Sequence, residues 1–220
     1  ALSLRSKKKS LLLPESAASK PSWFNIVMRD LDLLTIKLNP TKNIELRFPS
    51  DQELHSLAEL VFLPENFKHV FKYTGFSKEL NDPDGYYEKR LKSAPSRAKD
   101  HESAYLAIFY KGKIAGRVIA SIIDPACGKM ELSYFLFKEF LGTGIMLSSI
   151  KTVEEFLFRE LDANRIELWI DPANKHSVNL ALKLKYQLEG TLRQSYHNEF
   201  LDENRDDMVF AKLKSDIINL

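Results

Sequence analysis

Cysteine is almost absent. Cys127 is the only one among 220 residues, so no intrachain disulfide can form, which fits a reducing compartment. Metal-ligand spacing is absent too. His55, His69, His101, His176 and His197 are scattered, and no metal centre is expected. No apolar run reaches the ~20 residues that cross a bilayer, so no stable membrane span is expected. Neither sign of charge dominates: 32 Lys and Arg face 30 Asp and Glu, a net charge of +2. That argues against a nucleic-acid partner. What remains is 44% hydrophobic and 28% charged, the composition of a soluble globular chain with room for one substantial domain and a tail. The expected location is the cytoplasm.

What is present centres on residues 130–152. Met130, Leu132, Tyr134 and Leu136 alternate with Glu131, Ser133, Phe135 and Phe137. Both faces are mostly apolar, which predicts a central strand rather than an edge. Gly142 and Gly144 then break the pattern. Met146, Ile150, Val153 and Leu157 follow at helical spacing. A helix start after a glycine turn offers unpaired N–H groups and the positive end of the helix dipole, so an anion pocket is expected at 141–145. Steric need alone also produces such turns. A P-loop would require Lys-Ser/Thr after Gly144, where Ile145 stands. A dinucleotide fingerprint would require a small residue at position 147, where Leu147 stands. Too few strand–helix units remain for a Rossmann sheet.

Along the chain, residues 1–24 read as a flexible basic tail. Arg5, Lys7, Lys8 and Lys9 precede an apolar patch, Leu11 to Leu13, too short for a signal peptide. An electrostatic tether to an anionic surface is the other reading. Residues 25–43 form an extension with a possible strand at 34–38. A helix is predicted at 50–61, where Ser50 and Glu53 make a capping-box pattern. Further helix is predicted at 65–73 and 86–93. Lys111-Gly112-Lys113 predicts a hairpin between strands 104–110 and 114–123. The long helix ends near Leu161. A strand at 165–171, a shorter helix from Asn174 to Leu184, and a final antiparallel pair at 187–197 and 207–213 complete one α/β domain over 44–216.

Four stretches then resemble the GNAT-superfamily N-acetyltransferases, nearest the RimJ/RimL-like branch that acetylates ribosomal-protein N-termini. They are Glu131-Leu132-Ser133-Tyr134-Phe135-Leu136, Glu139-Phe140-Leu141-Gly142-Thr143-Gly144-Ile145-Met146, the block Asn174-x-x-Ser177 with Ala181-x-Lys183-Leu184-x-Tyr186, and Leu188-Glu189-Gly190-Thr191-Leu192-Arg193. The resemblance implies a mixed, mostly antiparallel sheet of about seven strands flanked by helices and splayed at two central parallel strands. It implies acetyl-CoA as co-substrate, and a protein N-terminus or a small amine such as a polyamine or aminoglycoside as acceptor. A homodimer is possible within it. A non-catalytic acyl-CoA-binding module is the alternative of a different class.

It also implies roles. Leu136 and Phe137 would lie along the pantetheine arm. Leu141, Gly142, Thr143, Gly144 and Ile145 would hold the pyrophosphate through their amides. Asn174, Ser177 and Tyr186 would border the cofactor. An amine is largely protonated at neutral pH, so a base must take its proton, and Glu131 is the candidate. Ser177 and Tyr134 are the candidate acids for the leaving thiolate. Each has a purely structural counterpart: a salt-bridged strand carboxylate, a helix cap, a core aromatic. His197 and Tyr196 end a strand that would border the acceptor. Three departures from the family pattern stand at Glu139, Leu141 and Thr143, where polar or basic residues are usual. Lys185 stands where glycine often ends the helix.

Overall fold

The computed structural model describes residues 36–37, 43–74 and 103–218. The basic tail, most of the extension and the helix expected at 86–93 lie outside them. Strand β1 (Ile36–Lys37) and β2 (Ile44–Arg47) form an antiparallel pair at one sheet edge. Helix α1 (Asp51–Phe62) begins at Ser50, whose hydroxyl accepts from the Glu53 amide at 3.3 Å, while the Glu53 carboxylate accepts from the Ser50 amide at 2.8 Å. The predicted capping box is therefore complete. Arg47 clamps the same carboxylate at 2.6 and 2.7 Å, tying β2 to the helix start. Helix α2 (Pro64–Phe71) follows after Leu63, with proline in its first turn, where no amide partner is lost.

Strands β3 (Ser103–Tyr110) and β4 (Lys113–Asp124) form the expected hairpin. Its two-residue turn has Lys111 at φ 51° and Gly112 at φ 77°, the left-handed pair that matches strand twist. Strand β5 (Lys129–Leu136) continues the sheet, and a short 3-10 turn at Lys138–Phe140 leads to helix α3 (Ile145–Arg159). That helix ends two residues before the expected Leu161. Strand β6 (Arg165–Ile170), helix α4 (Lys175–Lys183), strands β7 (Gln187–Asn198) and β8 (Glu203–Leu213), and helix α5 (Ser215–Ile218) complete the domain. The sheet order is β1-β2-β3-β4-β5-β6-β8-β7. It holds eight strands rather than about seven, the extra one being the two-residue β1. Every neighbouring pair is antiparallel except β5 with β6.

That parallel pair is short. Pairing covers only Lys129 with Arg165, Met130 with Ile166 and Glu131 with Glu167. Beyond this rung the strands part, as expected. Residues 132–136 of β5 remain bonded to β4 on one side, while their other edge has no strand partner among the described residues. The core holds the strands in place around this split. Leu46, Leu57, Ile108, Met130, Ile150, Leu157, Ile166 and Phe210 are almost wholly buried. Each such side chain is worth roughly 1.5–3 kcal/mol of transfer free energy.

Candidate active site

Strand register sorts the side chains into two faces. Ser121, Glu131 and Glu167 are opposite one another, so they share a face with Tyr105, Ile119, Arg117, Ser133 and Phe135. The other face carries Leu132, Tyr134 and Leu136 of β5 with Ile166, Leu168 and Ile170 of β6. Lys212 of β8 lies opposite Ile166 on that second face. Its ammonium donates to Glu154 on α3 at 2.9 Å and to the carbonyl of Leu184, at the end of α4, at 2.6 Å. Helix α3 and the end of α4 thus cover the second face.

A cavity of about 860 Å³ runs between the two faces. Its lining takes in both sides of the split: Leu132, Tyr134, Leu168 and Ile170 from one, Tyr105, Ile119, Ser133 and Trp169 from the other. Leu141, Gly142, Gly144, Met146 and Leu147 border it at the start of α3, and Asn174, His176 and Ser177 at the start of α4. So the gap between β5 and β6 connects a helix-lined half with an aromatic half.

The glycine turn has the geometry an anion needs. Gly142 and Gly144 have φ of 75° and 79°, and a side chain on either would meet no atom within 4 Å. Both are glycine for their backbone conformation, not for lack of room. Thr143 turns its hydroxyl back onto the Phe140 carbonyl at 2.6 Å and accepts weakly from the Ile145 amide at 3.5 Å. It braces the loop, a job that a long basic residue would not do. Among the described residues, the amides of Gly142, Thr143, Gly144, Met146 and Leu147 have no protein acceptor. Five donors at the positive end of a four-turn helix suit a pyrophosphate. The free edge of residues 132–136 suits an amide-bearing arm such as pantetheine. The residues present therefore fit acetyl-CoA.

The other expected residues divide. Leu136, Leu141, Asn174, Ser177 and Tyr134 line the cavity. Phe137 and Ile145 are buried in the core, 1% and 2% exposed, and, against expectation, neither is part of the cavity wall; the Phe137 amide is spent on the Ala115 carbonyl at 2.9 Å. Asn174 is the cap of α4, its side chain accepting from the Ser177 amide at 3.2 Å. The Tyr134 hydroxyl is buried with no hydrogen bond at bonding distance, and Ser177 is the polar side chain beside it. Burial pushes that phenol up to about 12, against a smaller opposing effect of Ser177. Tyr186 is buried behind the cavity rather than in its wall.

Glu131 is half-buried on the aromatic face, at the last paired rung before the split. It stands between Ser121 and Ser133, which line the cavity, and is itself set back from the lining. Burial first, then the charges of Glu167 and Asp207, push its carboxyl up, and Lys129 opposes them. Glu167 is held differently. Lys129, Arg165 and the Trp169 indole donate to it at 3.0, 2.7 and 3.0 Å, and together they outweigh its burial and hold it down. Of the two carboxylates on the rung, Glu131 is thus the one whose proton is held more tightly than an ordinary glutamate's, and Glu167 the one held ionised.

Among the lining side chains that escape a sequence reading of the site are Trp169, Tyr105, Arg117 and His69. Trp169, 44% exposed in an otherwise buried strand, has a signal in the alternation, since it shares parity with Glu167 and Asp171. His69 has none, because its role depends on how α2 meets β5. His197 lies outside the cavity lining, with Asn204 at 3.0 Å and Asp202 at 3.5 Å. Tyr196 donates to Asp171 at 2.9 Å and so supports the end of β6.

Comparison with known proteins agrees with this geometry. A protein of Bacillus subtilis (strain 168) named "Putative ribosomal N-acetyltransferase YdaF" is 25% identical over 82% of this chain and 95% of its own length. The ribosomal-protein-serine acetyltransferase of Escherichia coli (strain K12) is 25% identical over 73% of this chain and 92% of its own. The solved structure of RimL, a ribosomal L7/L12 alpha-N-protein acetyltransferase, in complex with coenzyme A superposes with a TM-score of 0.73 at 19% identity. It covers 82% of this chain and 98% of that one, a likeness of fold. The model of the acetyltransferase (GNAT) domain matches residues 43–187, and with the split sheet and the glycine turn in place the chain belongs to the GNAT acetyltransferases, enzymes that draw their acetyl group from acetyl-CoA.

Proposed function

We propose that this N-acetyltransferase acts on the α-amine of a protein N-terminus. The observation that carries the reading is the cavity running through the split, which joins a donor half to an aromatic acceptor half. Two relatives support it by their names, one a putative ribosomal N-acetyltransferase and the other a ribosomal-protein-serine acetyltransferase. The acceptor half also disfavours a polycation. Among the described residues that line it, Asp171 is the one carboxylate, and Arg205 neutralises it through two bonds of 2.8 Å.

The amine nitrogen attacks the acetyl carbonyl carbon directly. Glu131 takes the amine proton, through water held between Ser121 and Ser133. The C–N bond forms, the C–S bond breaks, and the leaving sulfur takes a proton from Tyr134 or Ser177. A free thiol has a pKa of about 8.5, so the acid helps departure rather than permitting it. The exposed edge of β5 supplies a backbone amide for the oxyanion.

The test is incubation with acetyl-CoA and a matched panel: short peptides with free N-termini, the same peptides blocked at the N-terminus, spermidine, and an aminoglycoside. Thiol release and intact mass are followed. Acetylation of free but not blocked peptides is the expected result. Turnover confined to spermidine or the aminoglycoside would overturn the reading.

A further inference from the structure

Trp169 is out of keeping with its strand. The alternation of β6 puts Ile166, Leu168 and Ile170 on the helix-covered face, all almost wholly buried. The opposite face carries Arg165, Glu167 and Trp169, and the indole is 44% exposed within the cavity. A side chain of this size contributes most when fully covered, yet much of its apolar surface stays open. Its orientation is fixed all the same. The indole N–H donates to Glu167 Oε2 at 3.0 Å. The other oxygen of that carboxylate accepts from Arg165 at 2.7 Å and from Lys129 at 3.0 Å. Glu167 itself is buried, and a bond to an ionised acceptor is about twice as strong as a neutral one. A tethered ring is a preorganised surface, with little rotamer freedom left to lose when a ligand covers it.

The position of the ring along β6 says which ligand it meets. Glu167 is level with Glu131 at the last paired rung. Trp169 stands two residues further on the same face, about 7 Å into the split. Across the gap at that level is Ser133, exposed, with Ile119 beyond it on β4. A small residue and an apolar one leave room opposite the indole and bring no charge. An amine within reach of Glu131, or of water between Ser121 and Ser133, carries its first side chain on the very next carbon. That side chain is the part of the acceptor nearest the ring, and later residues lead outwards.

We propose that Trp169, tethered by Glu167, selects acceptors whose first residue has a large apolar side chain. This rests on the reading of the acceptor as a protein N-terminus. The indole face covers one side of that side chain while the ring edge stays bonded to Glu167. Glycine or serine in first place leaves the face bare, and aspartate sets a charge against it.

The experiment uses free peptides that differ only in their first residue: Leu, Met and Phe against Gly, Ser and Asp. For each, kcat/KM is measured with the unaltered chain, Trp169→Phe and Trp169→Ala, beside KM for acetyl-CoA and Tm. The unaltered chain favours Leu over Gly by about tenfold or more, the least that one methylene is worth in an apolar pocket. Trp169→Ala loses most of that preference through KM for the Leu peptide, while KM for acetyl-CoA and Tm stay near their original values. Trp169→Phe, a ring without the tether, keeps part of it. A second readout needs no turnover. The chain has two tryptophans, so a Trp23→Phe background isolates Trp169. With coenzyme A bound, its emission shifts to the blue on adding the Leu peptide and stays put with the Gly peptide. Three results overturn the inference: the same preference in the unaltered chain and Trp169→Ala, a rise in KM for acetyl-CoA in place of the peptide, or an emission that the Leu peptide does not move. Should Trp169→Ala not fold, the peptide panel and the emission still decide. If no free N-terminus is acetylated, the reading of the acceptor fails and takes the inference with it. Peptides acetylated without regard to their first residue sink the inference alone.

Discussion

At the scale of single residues, the proposed role of Glu131 as base predicts that it and its neighbour Glu167 set the reaction's dependence on pH. Glu131 works as a base only when ionised. Its carboxyl is raised by burial and by its neighbours' charges, so activity should fall on the acid side at a higher pH than an ordinary glutamate would give. Replacing Glu167 with Gln removes one repelling charge and leaves Lys129 nearer to Glu131 alone. Both changes favour the ionised form, so the acid limb of kcat/KM should move to lower pH. Glu131→Gln should lower kcat by roughly 10²–10⁴, the usual worth of a general base. If the limb stays in place in Glu167→Gln, Glu131 is not the group being titrated. A second residue-scale case is Lys185, at φ 63° just after α4. The left-handed region costs a lysine on the order of 1 kcal/mol relative to glycine. Lys185→Gly should therefore raise the denaturant midpoint, less the extra freedom glycine gives the unfolded chain.

At the scale of elements, two helix starts do different work. The start of α1 is closed: Ser50 and Glu53 satisfy each other and Arg47 adds its clamp. Arg47 first, then the Ser50 bonds, hold the Glu53 carboxyl down at about 2. A depressed carboxylate adds stability above its unfolded pKa and loses it as pH falls to the folded value. Thermal scans should thus show a drop between about pH 4.5 and 2, and Ser50→Ala should cost about 1 kcal/mol at neutral pH. The start of α3 is open instead, its amides left for the cofactor. Alanine at Gly142 or Gly144 would clash with nothing but would push the turn away from positive φ. Calorimetry with coenzyme A should show affinity weakened about five- to tenfold, equivalent to about 1 kcal/mol, with little change in fold. The contrast was readable in the chain, because Ser-x-x-Glu and Gly-x-Gly carry their backbone consequences locally. So was the Lys111-Gly112 hairpin. Which residues of the Gly142–Gly144 turn present side chains, and which only amides, was not readable. Ile145 and Phe137 face the core because of where β2 and α3 pack, and no local pattern encodes that.

At the scale of the whole molecule, the site depends on keeping two strands apart, and the distant chain does this. The order β6-β8-β7 could not be read from the final antiparallel pair, since either strand could have joined β6. With β8 in the middle, Arg205 reaches back to the end of β6. Its guanidinium gives two bonds to Asp171 and a third to Glu203 at 2.7 Å. The Asp171 carboxylate, with its side chain fully buried, also accepts from the Ala173 amide at 2.7 Å and from Tyr196 on β7. Burial raises the Asp171 carboxyl, but Arg205, the Ala173 amide and Tyr196 together prevail and hold it low. This joint fixes the wall of the split that carries Trp169 and Ile170. Arg205→Met would strand the carboxylate with two neutral donors, a loss of about 3 kcal/mol. It should lower Tm by several degrees and kcat with it, since the acceptor wall loses its anchor. Adding Asp171→Asn removes the stranded charge, so the double variant should recover much of the stability. If it recovers Tm while kcat stays low, the joint serves the geometry of the split; if both return together, it serves stability alone.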